Sequence, residues 1–284
     1  MSTNPTKIGR YEIRDSLGRG AMGNVYLGYD PFVKRQVAIK LLPHTRIMDD
    51  DSLARFQREA EIVANLQHAC IVSVYDFGEH EQQPYIVMHY MAGGSLKERV
   101  EEGPLSLNET APIIERVAQA LDTAHEKGII HRDIKPGNIL FDQLGQAYLA
   151  DFGIAKIQAD FAQQLTANLV LGTPEYMSPE QVRDQTELDG RSDIYGLGVV
   201  VFQMLSGTFP FRATTPMGTA VAHLMDPIPD IGSIRKDLPA EADWLMKKVL
   251  AKEPDKRFQT AGDFAKSLRL VADGRGYHLR IAGL

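Results

Sequence analysis

Three glycines near the start of the chain are spaced so that backbone N–H groups could approach a phosphate closely. The run from Gly18 to Val25 reads Gly-x-Gly-x-x-Gly-x-Val, and glycines lack the side chains that would hold a phosphate away. A dinucleotide-binding unit would require a helix after the glycines. A β-branched and aromatic run, 25–29, follows instead. The spacing therefore predicts a glycine-rich hairpin that could bind phosphates.

Lys40, on the next predicted strand, is expected to form an ion pair. In the run 37–40, the alternation of a strand places Lys40 on the same face as Ala38, where a flat ring could pack. In the predicted helix that follows, apolar residues recur at helical spacing, namely Leu53, Phe56, Ala60, Val63 and Leu66. Glu59 shares a stripe with Ile62, Val63 and Leu66, so it is expected on the inward side. A carboxylate on the buried side needs a partner, so we expect Glu59 to pair with Lys40.

Three further motifs follow in order. They are His131-Arg132-Asp133-Ile134-Lys135-Pro136-Gly137-Asn138, Asp151-Phe152-Gly153 and Ser178-Pro179-Glu180. Each motif alone recurs by chance. Together with the glycine run and Lys40, and at these separations, they resemble the signature of protein kinases. The resemblance extends from about Tyr11 to Leu270.

The resemblance implies an α+β fold, the bilobal protein kinase fold. Its small N-lobe is rich in β-strands and has one main helix, and its larger C-lobe is mostly helical. The sequence texture agrees, since short strand-like runs come first and helical patterns follow. We therefore expect an N-lobe over 1–91, a C-lobe over 92–272, and a tail or the start of a linker over 273–284.

Local patterns predict the individual elements. The predicted strands are Tyr11–Leu17, Gly23–Tyr29, Gln36–Leu41, Val72–Phe77 and Tyr85–Tyr90. The predicted helices are Ser52–Gln67, one that Asn108 caps and that runs to Lys127 before Gly128, Arg191–Ser206, and one that begins at Thr260. The third helix is apolar on nearly every face, which indicates burial all round.

The resemblance also implies roles in phosphoryl transfer for four polar residues. Asp133 would accept the proton of the incoming hydroxyl, and Lys135 would neutralise charge on the transferred group. Lys40 would hold the α- and β-phosphates of ATP, and Glu59 would orient that lysine. Positioning and charge neutralisation, rather than covalent chemistry, are what this reaction needs.

Cofactor binding is implied for a second set of residues. Asn138 and Asp151 would bind Mg²⁺, or Mn²⁺ in its place, because hard cations take oxygen ligands. Met88 would be the gatekeeper, and the backbone of His89 and Met91 would bind adenine. The whole nucleotide-binding set comprises Leu17, Gly18, Gly20, Gly23, Val25, Ala38, Lys40, Met88, His89, Met91, Leu140 and Asp151.

Other motif residues are expected to have structural roles. By resemblance, His131 and Phe152 would stack with Val63 in an internal spine that couples the predicted helix to the loop. Asp193 would accept backbone N–H bonds from the catalytic loop, residues 131–138. Glu180 and Arg257 would form a buried ion pair, whose loss on one side would be costly.

The activation segment offers one candidate switch. Thr166 is the only Ser or Thr between Gly153 and Thr173, and a phosphate there could be read by Arg132 and Lys156. The alternative is that Thr166 is a loop residue without a role. By resemblance, Thr173 would hydrogen-bond the catalytic loop and help form the substrate site.

Composition narrows the remaining possibilities. The chain has 284 residues, a formal net charge of −6 and 44% apolar residues, which are ordinary globular values that give no reason to expect nucleic acid as a partner. The single cysteine, Cys70, excludes an intrachain disulfide and allows a reducing compartment. We expect no membrane segment within this chain and a cytoplasmic location, either as such or as part of a longer membrane-anchored protein.

Lys135 favours a Ser/Thr kinase over a tyrosine kinase, and the motifs are most similar to those of bacterial Ser/Thr kinases of the eukaryotic-like type. The predicted partners are proteins with Ser or Thr acceptors, and related bacterial kinases can also pair through their N-lobes. One alternative is a catalytically silent pseudokinase scaffold, which the complete catalytic set disfavours. A kinase of small molecules is the other alternative, and the Ser178-Pro179-Glu180 segment and Thr173 argue against it.

Overall fold

The computed structural model describes residues 5–20, 23–42, 57–58, 60–152, 173–185 and 187–276. The chain divides into two compact units, and the division lies between Ala92 and Gly93. Strands dominate the first unit and helices the second, so the predicted α+β class is confirmed. The functional assignment of the two lobes and of the tail stays a prediction.

The first unit is built on a six-stranded antiparallel sheet. Its strands are β1 (Lys7–Ile8), β2 (Tyr11–Gly20), β3 (Gly23–Asp30), β4 (Arg35–Leu41), β5 (Val74–His80) and β6 (Gln83–His89). Their spatial order is β1-β2-β3-β4-β6-β5. Each of the predicted strand runs coincides with most of one of these strands.

One face of this sheet forms the hydrophobic core of the first unit. Val37 and Ile39 of β4 are fully buried there in a cluster that includes Tyr26. Ala38 and Lys40 alternate with them and therefore lie on the opposite face, as the sequence predicts. Lys40 is only 4% exposed on that face, so its ammonium group is largely shielded from water.

The helix predicted over Ser52–Gln67 is described only in part. Residues 57–58 and 60–64 are helical and a turn follows, so the helix ends earlier than predicted. Ala60 is 2% exposed and Leu66 3%, whereas Ile62 is 41% exposed. The prediction that Ile62 lies on the inward stripe is therefore wrong. Glu59 lies outside the described residues.

The second unit is mostly helical. Its α-helices are α1 (Leu96–Glu102), α2 (Leu107–Glu126), α3 (Pro179–Val182), α4 (Gly190–Ser206), α5 (Pro216–Met225), α6 (Ile231–Ile234), α7 (Ala240–Val249) and α8 (Ala261–Ala272). Two short strands, β7 (Ile139–Phe141) and β8 (Ala147–Leu149), pair antiparallel. No helix in the described part of the chain is long and apolar enough to cross a membrane.

Helix α2 leads into the catalytic loop and packs against α4 and α8. Its N-cap is Ser106, which forms a capping box with Glu109, so the prediction that Asn108 caps this helix is wrong. Gly128 ends the helix with a φ of 72°, as predicted, because a left-handed residue after the last turn is easily accepted by glycine.

Helix α4 confirms the prediction of a helix that is buried all round, since nearly every residue from Ser192 to Ser206 is buried. Asp189 caps its start and Gly207 ends it in a left-handed conformation. Helix α8 begins as predicted after Thr260, whose hydroxyl accepts the Asp263 N–H at 3.0 Å. These helices form the support on which the loops of the second unit rest.

Candidate active site

The loop from His131 to Asn138 brings two functional side chains, those of Lys135 and Asn138, to the carboxylate of Asp133. The ammonium group of Lys135 lies 2.7 Å from Asp133 Oδ2. The side-chain amide of Asn138 donates to the same oxygen at 3.1 Å and to the backbone oxygen of Asp133 at 2.7 Å. A carboxylate held by two donors has a fixed orientation, which suits a group that must accept a proton at a set position.

The candidate metal ligands Asn138 and Asp151 lie close together in the second unit. Ile139 pairs with Leu149 at one end of the β7–β8 ladder, and Asn138 and Ala150 are the adjoining residues in the chain. The Ala150 N–H donates to the backbone oxygen of Asn138 at 2.8 Å. Because the amide nitrogen of Asn138 donates to Asp133, its side-chain oxygen is the atom left for a cation. An amide oxygen and a carboxylate are hard ligands, so this donor set fits the predicted Mg²⁺ or Mn²⁺.

Two residues of this site have a left-handed backbone. Arg132 has a φ of 69° and Asp151 a φ of 64°. Such values are uncommon for residues other than glycine, and they persist only where the surrounding structure holds them. Each motif that supplies a candidate functional aspartate therefore contains a constrained residue.

Asp193, in the first turn of α4, holds the backbone of the loop. Its carboxylate accepts the N–H of His131 at 2.8 Å and the N–H of Arg132 at 2.8 Å. It also lies 2.8 Å from Nε2 of His125. Hydrogen bonds to a buried carboxylate are strong, and they offset the unfavourable conformation of Arg132. The predicted structural role of Asp193 is confirmed.

His131 connects the two motifs through its ring. The ring is fully buried and lies 4.7 Å from that of Phe152 in an edge-to-face contact, which confirms the predicted stacking of these two rings. The part of Val63 in that stack stays a prediction. Its Nδ1 accepts the Asp133 N–H at 3.3 Å, so the ring proton resides on Nε2, which lies 2.8 Å from the Ala150 oxygen. His131 thereby fixes the residues on either side of Asp151 relative to Asp133.

Glu180 and Arg257 form the predicted buried ion pair. Two guanidinium nitrogens donate to the two carboxylate oxygens at 2.7 and 2.9 Å, and the Ser192 hydroxyl donates to Oε1 at 2.6 Å. Burial alone would raise the pKa of Glu180, but the hydrogen bonds and charge of Arg257 outweigh burial and hold that pKa below its ordinary value. The pair anchors α3 to the second unit.

Gln181 is a site residue that the sequence reasoning missed. Its side-chain nitrogen donates to the backbone oxygen of Arg132 at 2.7 Å, and its side-chain oxygen accepts the Ser178 N–H at 2.9 Å. A serine three residues before a glutamine is a capping-box signal, so the second of these bonds could have been predicted. The first bond spans 49 positions and leaves no local signal.

The glycine run in the first unit folds as the predicted hairpin. The β2–β3 register pairs Gly18 with Val25 and Gly20 with Gly23, and residues 21–22 lie outside the described residues. Gly23 has a φ of 109°, and a Cβ there would overlap with the backbone oxygen of Leu41. A strand follows the glycines, so the unit is not a dinucleotide-binding βαβ unit.

The residues expected to bind adenine lie at the end of β6 and just beyond it. Met88 and Met91 are each 7% exposed. The N–H of His89 donates to the Ser73 oxygen at 2.9 Å, which leaves the His89 carbonyl as the backbone group for a ligand. The His89 ring lies 2.6 Å from the Tyr75 hydroxyl and so connects β6 to β5. The role of these residues in nucleotide binding stays a prediction.

The predicted regulatory residues are only partly described. Arg132 lies in the catalytic loop, and Thr173 directly precedes the 3-10 turn Pro174–Tyr176. Thr166 and Lys156 lie outside the described residues. The proposed contacts of a phosphate on Thr166 therefore stay a prediction, as does the bonding of Thr173 to the catalytic loop.

Comparison with known proteins gives a consistent family. The family described as protein kinase domain matches residues 11–267. Serine/threonine-protein kinase PknB of Mycolicibacterium smegmatis is 40% identical over 282 residues, which are 97% of this chain and 45% of that protein. Serine/threonine-protein kinase PrkC of Bacillus subtilis is 40% identical over 266 residues, which are 93% of this chain and 41% of that protein.

A similar solved structure is the crystal structure of the PknI kinase domain from Mycobacterium tuberculosis. It has a TM-score of 0.76 and 30% identity, and the match covers 95% of this chain and all of that chain. This chain spans less than half the length of the two curated relatives. Members of the family use ATP and a divalent cation. The chain belongs to the protein kinase family, and within it to the bacterial serine/threonine kinases of the eukaryotic-like type.

Proposed function

We propose that this domain transfers the γ-phosphate of ATP to Ser or Thr hydroxyls of proteins, with Mg²⁺ as the cation. The observation that carries the proposal is the Asp133 carboxylate, which Lys135 and Asn138 hold from two sides. The backbone hydrogen bond from Ala150 to Asn138 holds a second oxygen donor, Asp151, next to this loop, and a phosphoryl-transfer site requires such donors for its cation.

The catalytic roles follow from these contacts. Asp133 orients the acceptor hydroxyl and takes its proton as the oxygen attacks the γ-phosphorus, while the bond from that phosphorus to the β–γ bridging oxygen breaks and ADP leaves. Lys135 lies 2.7 Å from Asp133, so its ammonium group is placed to neutralise charge on the transferred group. Asn138 and Asp151 hold Mg²⁺, whose charge offsets that of the phosphates.

The first unit contributes to nucleotide binding in this proposal. A Cβ atom at position 18 would have no other atom within 4 Å, so there is open space for a ligand against the hairpin backbone at Gly18. Lys40 lies opposite Val25 in the β3–β4 register, next to this hairpin. We assign Lys40 to the α- and β-phosphates and Glu59 to its orientation. The remaining predicted nucleotide contacts are part of the same proposal.

Regulation and location are further parts of the proposal. Phosphorylation of Thr166 by the kinase itself would give Arg132 and Lys156 a shared anionic partner. The domain would act in the cytoplasm, because it needs ATP and because its single cysteine, which is buried, suits a reducing compartment.

Phosphosite mapping by mass spectrometry tests the proposal. The chain is incubated with Mg-ATP and a generic basic protein, with Asp133→Asn and Lys40→Met variants as controls. We expect phosphate on Ser or Thr residues, including Thr166, and its loss in both variants. Turnover that Thr166→Ala leaves unchanged would refute the switch alone.

Binding of Mg-ATP without phosphate on any residue would refute the kinase proposal and favour the pseudokinase scaffold. Phosphate in the Asp133→Asn sample at the wild-type level would also refute it, since the proton acceptor would then be dispensable. Replacing Mg²⁺ by Mn²⁺ or Ca²⁺ in parallel samples tests the choice of cation.

A further inference from the structure

The peptide unit between Arg132 and Asp133 is held at both of its polar ends. Its carbonyl oxygen accepts a hydrogen bond from Gln181 Nε2 at 2.7 Å. Its N–H, which belongs to Asp133, donates to His131 Nδ1 at 3.3 Å. A peptide unit is planar, so two bonds on opposite edges fix its rotation about the chain axis. That rotation sets the direction in which the Asp133 side chain leaves the backbone.

This peptide unit follows a residue with an unfavourable conformation. Arg132 has a φ of 69°, and its own N–H donates to Asp193 Oδ1 at 2.8 Å. Asp193 therefore fixes the amide on one side of Arg132, and Gln181 fixes the carbonyl on the other. Without the second bond, the carbonyl could rotate and the left-handed conformation could relax.

The element that carries Gln181 is itself rigidly anchored. The neighbouring residue Glu180 is buried and bound by Arg257 and Ser192. The backbone N–H of Gln181 donates to the Ser178 hydroxyl at 3.3 Å, and its side-chain oxygen accepts the Ser178 N–H. Both ends of the amide are therefore used, and its nitrogen is aimed at the loop by the capping box.

We propose that Gln181 is a positioning residue of the reaction, which fixes Asp133 through the carbonyl of Arg132. This inference rests on the proposed kinase function and adds a residue outside the predicted catalytic set. The contact also transmits any displacement of the Ser178–Val182 segment directly to the peptide unit before Asp133.

The test uses two changes at Gln181 and one matched control. Gln181→Glu keeps the oxygen that caps Ser178 but replaces the donor by a second acceptor. Gln181→Ala removes both. The control is Glu109→Ala, which removes the corresponding side chain from the capping box of α2, where Glu109 accepts the Ser106 N–H at 2.8 Å. The side chain of Glu109 bonds to Ser106 and not to the catalytic loop, so this change removes capping alone.

We expect kcat to fall about 10- to 100-fold in both Gln181 variants, with the KM for ATP nearly unchanged and with wild-type kcat in the control. The ratio of Gln181→Glu activity to wild-type activity should rise as the pH is lowered from about 8 to about 6, because a protonated carboxyl can donate to the carbonyl. A merely structural role would not produce this pH-dependent rescue.

A second readout does not require catalysis. Hydrogen exchange at the Asp133 amide should be about five- to tenfold faster in the Gln181 variants than in wild type and in the control. Unchanged exchange would overturn the inference even if the wild-type chain had no kinase activity. Equal loss of kcat in the Gln181 and Glu109 variants would also overturn it, since lost capping would then explain the effect.

Discussion

Removing one side of the buried Glu180–Arg257 pair should cost much more stability than removing one side of an exposed pair with the same geometry. In Arg257→Met, the carboxylate of Glu180 loses both of its guanidinium donors, and the Ser192 hydroxyl remains bound to it. The backbone oxygens of Ala251 and Lys252 also lose donors at 2.7 and 3.0 Å. We expect a loss of about 4 kcal/mol in the free energy of unfolding.

The chain supplies a matched control. Arg269 binds Glu115 through two hydrogen bonds of 2.7 Å each, which join α8 to α2. The side chains of this pair are 33% and 36% exposed, whereas those of Arg257 and Glu180 are 0% and 6% exposed. Arg269→Met should therefore cost about 1 kcal/mol or less.

Urea denaturation at two pH values measures both effects. In the wild type, the lowered pKa of Glu180 contributes stability above its unfolded pKa of about 4.3, and this contribution is lost as the pH falls through the folded value. In Arg257→Met, burial without a cation would raise that pKa, so the variant gains stability as the pH falls. The difference between the two proteins should thus be smaller at pH about 5 than at pH about 8. Equal losses in the two Arg→Met variants, or a difference independent of pH, would refute the reasoning.

Three other predictions concern separate parts of the chain. Asp193→Asn should lower kcat about tenfold or more in a steady-state kinase assay, because one amide group cannot accept the N–H of both His131 and Arg132 as the carboxylate does. Gly28→Val should lower the free energy of unfolding by about 1–3 kcal/mol in urea denaturation, because a Cβ there would lie 2.5 Å from Ile39 Cδ1 in the core. Burial and the charge of Lys252 lower the pKa of His223 to about 4, so its contribution to stability is complete above about 6.5 and is lost as the pH falls towards 4. Between pH about 7 and about 4, the free energy of unfolding should fall less in His223→Leu than in the wild type, by up to roughly 3 kcal/mol, and Tm should follow. An unchanged fall would contradict this pKa.

Strand alternation was sufficient to predict the chemistry-bearing face of β4. Val37 and Ile39 enter the core and Lys40 lies on the other face, because successive side chains of a strand alternate whatever the surroundings. The hairpin was predictable for the same local reason, since a strand-like run after Gly23 excludes a helix at that point.

Helix faces and helix starts were harder to predict. Both Ser106 and Asn108 are good N-cap residues, and Glu109 decides between them because it completes a capping box with the first. A stripe drawn through Glu59 and Ile62 places the inward face slightly to one side, because helical spacing alone does not define its centre. Buried Ala60 and exposed Ile62 give the observed centre.

The sequence was sufficient to predict which residues form the candidate site, but not the backbone conformation of its loop or the distant residues that bind that backbone. Motif spacing brings Asp133 and Asn138 into one loop, and their hydrogen bond follows from that closeness. The left-handed conformation of Arg132 has no local cause in the sequence, since arginine does not favour it. It depends on Asp193 and Gln181, which lie 61 and 49 positions away.

The distant residues bind the backbone of the loop on both sides of Arg132, and the two sides need different chemical groups. The buried carboxylate of Asp193 binds the N–H groups of His131 and Arg132, and these strong bonds can be inferred once the fold is known. The carbonyl of Arg132 needs a donor, and a neutral amide supplies it without placing a further buried charge beside Asp133. Glutamine at position 181 can therefore hold the backbone before Asp133 without adding a charge next to the carboxylate that we propose as the proton acceptor.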